Sequence, residues 1–88
     1  MKLIRISAVW CTSCLVTYHI WELLKEKYPN YSYEEVDYDF DEELVKKYEI
    51  GSVIPVIIVL NDKNEEITRI VGEKSKEEIF SIIDKLGD

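Results

Sequence analysis

Residues 2–7, KLIRIS, are apolar on both alternating faces except at Arg5, the pattern of a strand buried inside its sheet. The period then changes. Val16, Ile20 and Leu24 recur at i, i+4 and i+8, with Trp21 and Tyr28 beside them, while Glu22, Lys25 and Glu26 form a wet face. This spacing predicts one helix from Thr12 to about Tyr28, ended by Pro29-Asn30. Alternation returns over 31–40, YSYEEVDYDF, where Val36, Tyr38 and Phe40 are interleaved with Asp37 and Asp39 and predict a second strand. A short helix follows. Asp39 is its expected N-cap, Glu42 stands at the capping-box position, and Lys46 and Lys47 suit the negative end of the helix dipole.

The most apolar segment is VIPVIIVL, 53–60, which reads as a buried strand. NDKN, 61–64, is a turn, and EEITRIVG, 65–72, is the second arm of a β-hairpin. Ser75 caps the last helix, with Glu78 at the box position. Ile79, Ile82, Ile83 and Leu86 then fall on one helical stripe, and Gly87 is a natural stop. The predicted order is β-α-β-α-β-β-α. A strand–helix–strand opening implies a parallel pair with a right-handed crossover, and the closing hairpin is antiparallel. The expected fold is α/β, with a mixed four-stranded sheet flanked by helices on both faces.

A chain of 88 residues fits a single domain, 1–88, with one sheet and little surplus core. The net charge of −7 repels polyanions, which excludes nucleic acid and anionic membrane as partners. The longest apolar run is too short to span a bilayer. MKLIRISAVW has neither an uninterrupted apolar stretch nor a small-residue cleavage site, so a cytoplasmic location is expected. In a reducing compartment, closely spaced cysteines are more often catalytic or metal-binding than permanently bridged.

Both cysteines lie in VWCTSCLV, 9–16. Cys11 falls at the end of the first strand and Cys14 one turn inside the helix. Unpaired N–H groups at a helix start favour thiolate over thiol, and thiolate is the reacting form. The spacing lets the two sulfurs meet, so that one attacks a foreign disulfide and the other releases the adduct. Two blander readings remain open. The cysteines could be buried and inert, or they could bind zinc. Tetrahedral zinc usually takes four ligands, and this chain offers one cysteine pair and a single histidine, His19. An acidic side chain or a second copy would have to complete such a site. His19 reads as a helix residue with an ordinary hydrogen bond. Trp10 either packs on the junction or offers a flat apolar surface beside the sulfur. At Ile54-Pro55 the residues alone make a trans proline at a sheet edge the default, the alternative being entry to the strand through a cis bond. The cis form would leave the Ile54 backbone turned outward for an extended substrate.

These residues resemble the thioredoxin family. WCTSC is similar to its Trp-Cys-x-x-Cys active site, VIP (53–55) stands where the family carries a cis-proline, and VGEKSKEEI (71–79) resembles its Val-Gly-x-x-Ser-Lys stretch. The likeness covers nearly the whole chain. It implies Cys11 as nucleophile, Cys14 as resolving cysteine and a redox-active disulfide between them. It further implies that Trp10, Ile54, Pro55 and Gly72 line a protein-substrate groove. By the same resemblance the chain is a protein-disulfide reductase without a cofactor or metal. It would act as a monomer on disulfide-containing proteins and be recharged by a thioredoxin-reductase-like electron donor. The alternatives are a metal-binding or interaction module on the same scaffold, or a disulfide isomerase or oxidant.

Several departures stand out. The family's additional N-terminal strand and helix have no counterpart, Thr12-Ser13 separates the cysteines, and no proline occurs near His19, so the active-site helix is expected to run straight. The family's buried acid and its neighbouring lysine correspond to Arg5 and Glu35, with the signs exchanged. A buried arginine needs a partner. Glu35 and Asp37 project to its side, and an Arg5–Glu35 pair in which Glu35 moves the Cys14 proton is the sharper expectation. The acidic run from Glu34 to Glu43 reads as a wet face, and Glu73, beside Gly72, is expected to disfavour acidic substrates.

Overall fold

The computed structural model of the chain describes residues 1–87. Among these, the elements follow in the order β1 (Lys2–Ser7), α1 (Thr12–Val16), α2 (Tyr18–Lys27), β2 (Ser32–Asp37), α3 (Glu42–Lys47), β3 (Val56–Leu60), β4 (Glu66–Val71) and α4 (Lys76–Gly87). β1 and β2 run parallel, with Arg5 opposite Glu35 and Ser7 opposite Asp37. β3 pairs antiparallel with both β1 and β4. The sheet order is β2-β1-β3-β4, so β1 is interior, as its two-sided apolar pattern predicts.

Each face of the sheet carries its own core. On one face Leu3, Ile57, Val59 and Ile70 pack against Ile20, Trp21 and Leu24 of α2 and against Ile79 and Ile83 of α4. On the other, Ile4, Ile6, Val36, Val56, Ile58 and Leu60 are covered by Leu44 and Val45 of α3 and by Tyr48 just after it. Helices therefore lie on both faces. Burying one aliphatic side chain fully is worth roughly 1.5–3 kcal/mol, which is why the apolar stripes and not the polar faces decide where the helices dock.

The local signals hold where they are made by short-range bonds. Asn61 Oδ1 accepts the amides of Lys63 and Glu65 at 2.8 and 3.0 Å and shapes the hairpin turn. Ser75 Oγ accepts the Glu78 amide at 3.1 Å and so caps α4, while the Glu78 carboxylate accepts from the Ser75 hydroxyl at 3.3 Å and not from its amide, leaving the capping box half made. His19 Nδ1 lies 2.9 Å from the Val16 carbonyl, an ordinary local bond.

Three boundaries differ from expectation. The helix foreseen from Thr12 to Tyr28 is broken at Thr17 into α1 and α2. In a continuous helix the Cys14 carbonyl would serve the amide four residues on. Here it accepts from Arg5 Nη2 at 2.6 Å and from the Thr17 hydroxyl at 3.4 Å. The Thr17 hydroxyl also donates to Ser13 at 2.7 Å. Side chains inserted into the helical ladder disrupt it, so the helix bearing Cys14 is interrupted at Thr17 without a proline. The second strand ends at Asp37 and not at Phe40. Asp37 Oδ1 accepts the amides of Asp39 and Phe40 at 2.9 and 3.0 Å and folds the chain into a turn, leaving Phe40 82% exposed. The N-cap of α3 is consequently Asp41, not Asp39. Its carboxylate reaches back to the Asp37 amide at 2.8 Å in place of capping the helix. β3 begins at Val56, after Pro55, which has no amide to give a ladder.

Candidate active site

The chain leaves β1 at Ser7 and turns through Ala8, whose carbonyl accepts the Cys11 amide at 3.1 Å. That turn places Cys11 at the N-cap of α1 with an extended backbone, and Cys14 inside the helix. The two are joined in a disulfide, with Cα atoms 5.2 Å apart. The Cys14 amide points at Cys11 Sγ from 3.1 Å. In the reduced protein that amide faces whatever negative charge develops on the sulfur. Cys11 is 6% exposed and Cys14 2%. Both are therefore sheltered, and Cys14 lines an open cavity with Arg5, Ser7 and Asp37.

Three segments carry the other residues singled out around Cys11. Cys11 Sγ lies 3.8 Å from the Ile54 carbonyl. The Ile54–Pro55 peptide bond is cis. Among the described residues none accepts the Ile54 amide. The Pro55 carbonyl accepts the Gly72 amide at 2.8 Å. Gly72 has φ +84°, a left-handed conformation that favours glycine. Trp10 is 60% exposed, so it does not pack away on the junction. Its Nε1 donates to Asp39 Oδ2 at 2.6 Å, and its ring stands edge-on to Tyr38 at 6.3 Å. Val9, Val53 and Phe40 add further exposed apolar surface.

Behind Cys14, on the α2 face of the sheet, the apolar row of β1 is interrupted. The Arg5 side chain is 5% exposed and lies 3.4 Å from Glu35, which is 49% exposed. Arg5 also donates to Ser7 Oγ at 3.0 Å and to the Cys14 carbonyl at 2.6 Å. Its guanidinium sits 5.4 Å from the centre of the Tyr18 ring. Burial pulls the Arg5 pKa down from its ordinary value, against the opposing pull of Glu35 and Tyr18. An arginine remains charged through such a shift.

The thioredoxin family model matches residues 1–85. The chain belongs to the thioredoxin family. It is 36% identical over 69 residues to Thioredoxin H5 of Oryza sativa subsp. japonica, covering 78% of this chain and 50% of that protein. It is 32% identical over 85 residues to thioredoxin of Chlamydia pneumoniae, covering 97% of this chain and 81% of that one. The chain thus spans about half the length of the rice relative. In fold it is similar to oxidised mitochondrial thioredoxin 3 of Saccharomyces cerevisiae, with a TM-score of 0.85 at 21% identity over 96% of this chain and 76% of that one.

Within this thioredoxin-family scaffold the residues singled out from sequence fall into two groups. Cys11 meets Ile54 and Pro55 holds Gly72, while Trp10 adjoins Cys11 in the chain and turns toward Asp39 and Tyr38; Cys14 stands one turn inside α1. Arg5 and Glu35 are on the far side of Cys14. Sequence reasoning missed Ser7 and Tyr18, which complete the surroundings of Arg5, and it gave Asp39 a capping role when its carboxylate holds Trp10. A signal for Ser7 was present: it lies two residues after Arg5, hence on the same side of the strand. Nothing local in the sequence marks Asp39 as the partner of an indole 29 residues away.

Proposed function

We propose that this protein is a thiol–disulfide oxidoreductase that reduces disulfide bonds in other proteins. Cys11 thiolate attacks a substrate sulfur, forming a mixed disulfide and expelling the first substrate thiolate. Cys14 thiolate then attacks Cys11, forming the Cys11–Cys14 bond and expelling the second substrate thiolate. Trp10, Ile54, Pro55 and Gly72 form the groove that receives the substrate chain, with the free Ile54 amide as a partner for its backbone. Arg5 and Glu35 are the charge pair that sets how readily Cys14 gives up its proton. A thioredoxin-reductase-like donor returns two electrons and two protons. The protein works as a monomer in the cytoplasm, and the reaction needs no cofactor.

The observation that carries this reading is the Cys11–Cys14 disulfide at the head of α1, facing Ile54, in a chain of the thioredoxin family. Trapping tests it. Cys14→Ser should hold substrate proteins on Cys11 as mixed disulfides that a reductant releases, while Cys11→Ser should hold none. Insulin reduction driven by a small dithiol should proceed with the native protein and stop in both variants. Tight metal in the purified protein together with no insulin reduction would replace this reading with a metal-binding module.

A further inference from the structure

Behind Cys14 the sheet presents a square of four polar side chains, Arg5 and Ser7 from β1 and Glu35 and Asp37 from β2, in parallel register. Arg5, Ser7, Asp37 and Cys14 share the lining of an open cavity of about 160 Å³. The charges of this square are unequal in reach. Arg5 is almost wholly buried and bonded to the Cys14 carbonyl at 2.6 Å. Glu35 is half in water and meets Arg5 only at 3.4 Å. Asp37 Oδ1 already accepts two backbone amides. From α2, the Tyr18 ring faces the guanidinium. Lys74 borders a second small pocket beside Arg5, and its charge has the same sign. A charge in the protein interior acts over distance far more strongly than one screened by water. The buried cation therefore outweighs the half-exposed carboxylate at Cys14.

We propose that Arg5 is a positioning residue that keeps a fixed positive charge behind Cys14 and so holds it as thiolate for the resolving step. The charge on Arg5, and not a base at Glu35, prepares that sulfur. This rests on thiol–disulfide exchange being the chemistry of the protein. In the resolving step the Cys14–Cys11 bond forms, the bond from Cys11 to the substrate breaks, and its electron pair leaves on the substrate sulfur. The Cys14 proton has by then gone to solvent through the open cavity, so no carboxylate has to accept it. Glu35 fixes the guanidinium and weakens its field.

Mixing the reduced protein with one equivalent of an aromatic disulfide whose released thiolate is coloured separates the two steps. The first release reports attack by Cys11 and the second reports resolution by Cys14. In Arg5→Met the pH midpoint of the second release should rise by about one unit, slowing it ~10-fold below the midpoint, with the first release unchanged. Arg5→Lys keeps the charge and should recover most of the loss. Glu35→Gln should move the second midpoint down, since it removes the opposing charge. A base at Glu35 would make the same variant slower, with a higher midpoint. An unmoved second midpoint in Arg5→Met, or an unmoved or raised one in Glu35→Gln, overturns the proposal. Should Arg5→Met fail to fold, the sign of the Glu35→Gln shift decides alone. No second release from the native protein would instead defeat the exchange reading itself.

Discussion

Two ion pairs join β1 to β2, one on each face of the sheet. Lys2–Glu34 is the shorter, at 2.9 Å, and both its side chains are more than a third exposed. Arg5–Glu35 is longer, at 3.4 Å, and its cation is buried. On the Lys2 face the pair sits at the rim, and the strand continues into an unbroken apolar row of Ile4 and Ile6 beneath α3. On the Arg5 face the row is Leu3, then Arg5, then Ser7, and Arg5 reaches the Cys14 carbonyl of α1. The Lys2 face is all core along β1, and it meets the cysteine cluster only through Tyr38 and Ile54 at its end. The other face surrenders two core positions to a cation and a hydroxyl. Distance alone would rank the Lys2 pair higher. Burial ranks them the other way, because water screens the exposed pair and leaves the buried charge dependent on its protein partners.

The strongest way to break this contrast is to damage the all-core face. Ile58 is fully buried in the centre of that face. Ile58→Ala should cost about 2–5 kcal/mol of stability, from lost transfer energy and the cavity left behind. Denaturant unfolding would measure it. The contrast requires that, under conditions where the variant is still folded, the rate of Cys11 alkylation in the reduced protein stays native. A large change in that rate would mean that the two faces are not separable.

How much of this division could be read from the residues depends on the range of the force involved. The interior place of β1 follows from KLIRIS alone, since an edge strand would not be apolar on both sides. The need of Arg5 for an acidic partner follows from the cost of burying a charge, and the parallel strand order limits the candidates to Glu35 and Asp37. The Ser75–Glu78 cap is visible because it closes within three residues. The break at Thr17 is not visible. Helical periodicity runs straight through it, and its cause is a guanidinium from another element that takes the Cys14 carbonyl. The end of β2 was hidden for a related reason: Asp37 and Asp39 fit a wet strand face as well as a turn, and only the folded chain shows Asp37 bending back onto its neighbours. From the residues alone Ile54-Pro55 reads as trans at a sheet edge, the commoner isomer, whereas the folded chain has it cis just before the interior strand β3.

A smaller effect, on the same face as Arg5 but away from the cysteines, concerns Tyr33. Its hydroxyl lies 2.8 Å from the carbonyls of both Leu24 and Tyr28. Burial, with a lesser contribution from Tyr31, pushes its pKa from 10.0 up to about 12. A folded-state pKa above the unfolded one means stability is fully present below pH 10 and is lost as pH rises through 12. The loss should approach roughly 2 kcal/mol at the alkaline end. Tyr33→Phe should begin about 1 kcal/mol lower at neutral pH, for want of its hydrogen bond, and should then lack this part of the alkaline decline. An equally steep decline in the variant would place the titrating group elsewhere.

The smallest effect is the one that tests the contrast most directly. Lys2→Ala removes the shorter of the two ion pairs, yet both partners are well hydrated before and after the change. The loss should be under about 1 kcal/mol. It should shrink in roughly 1 M salt, where the screening length falls to about 3 Å. Unfolding the native protein and this variant at low and high salt measures both quantities. If Lys2→Ala proved as costly as a core truncation, or insensitive to salt, then separation and not burial would govern these pairs. The argument that Arg5 dominates the surroundings of Cys14 would lose its physical ground with it.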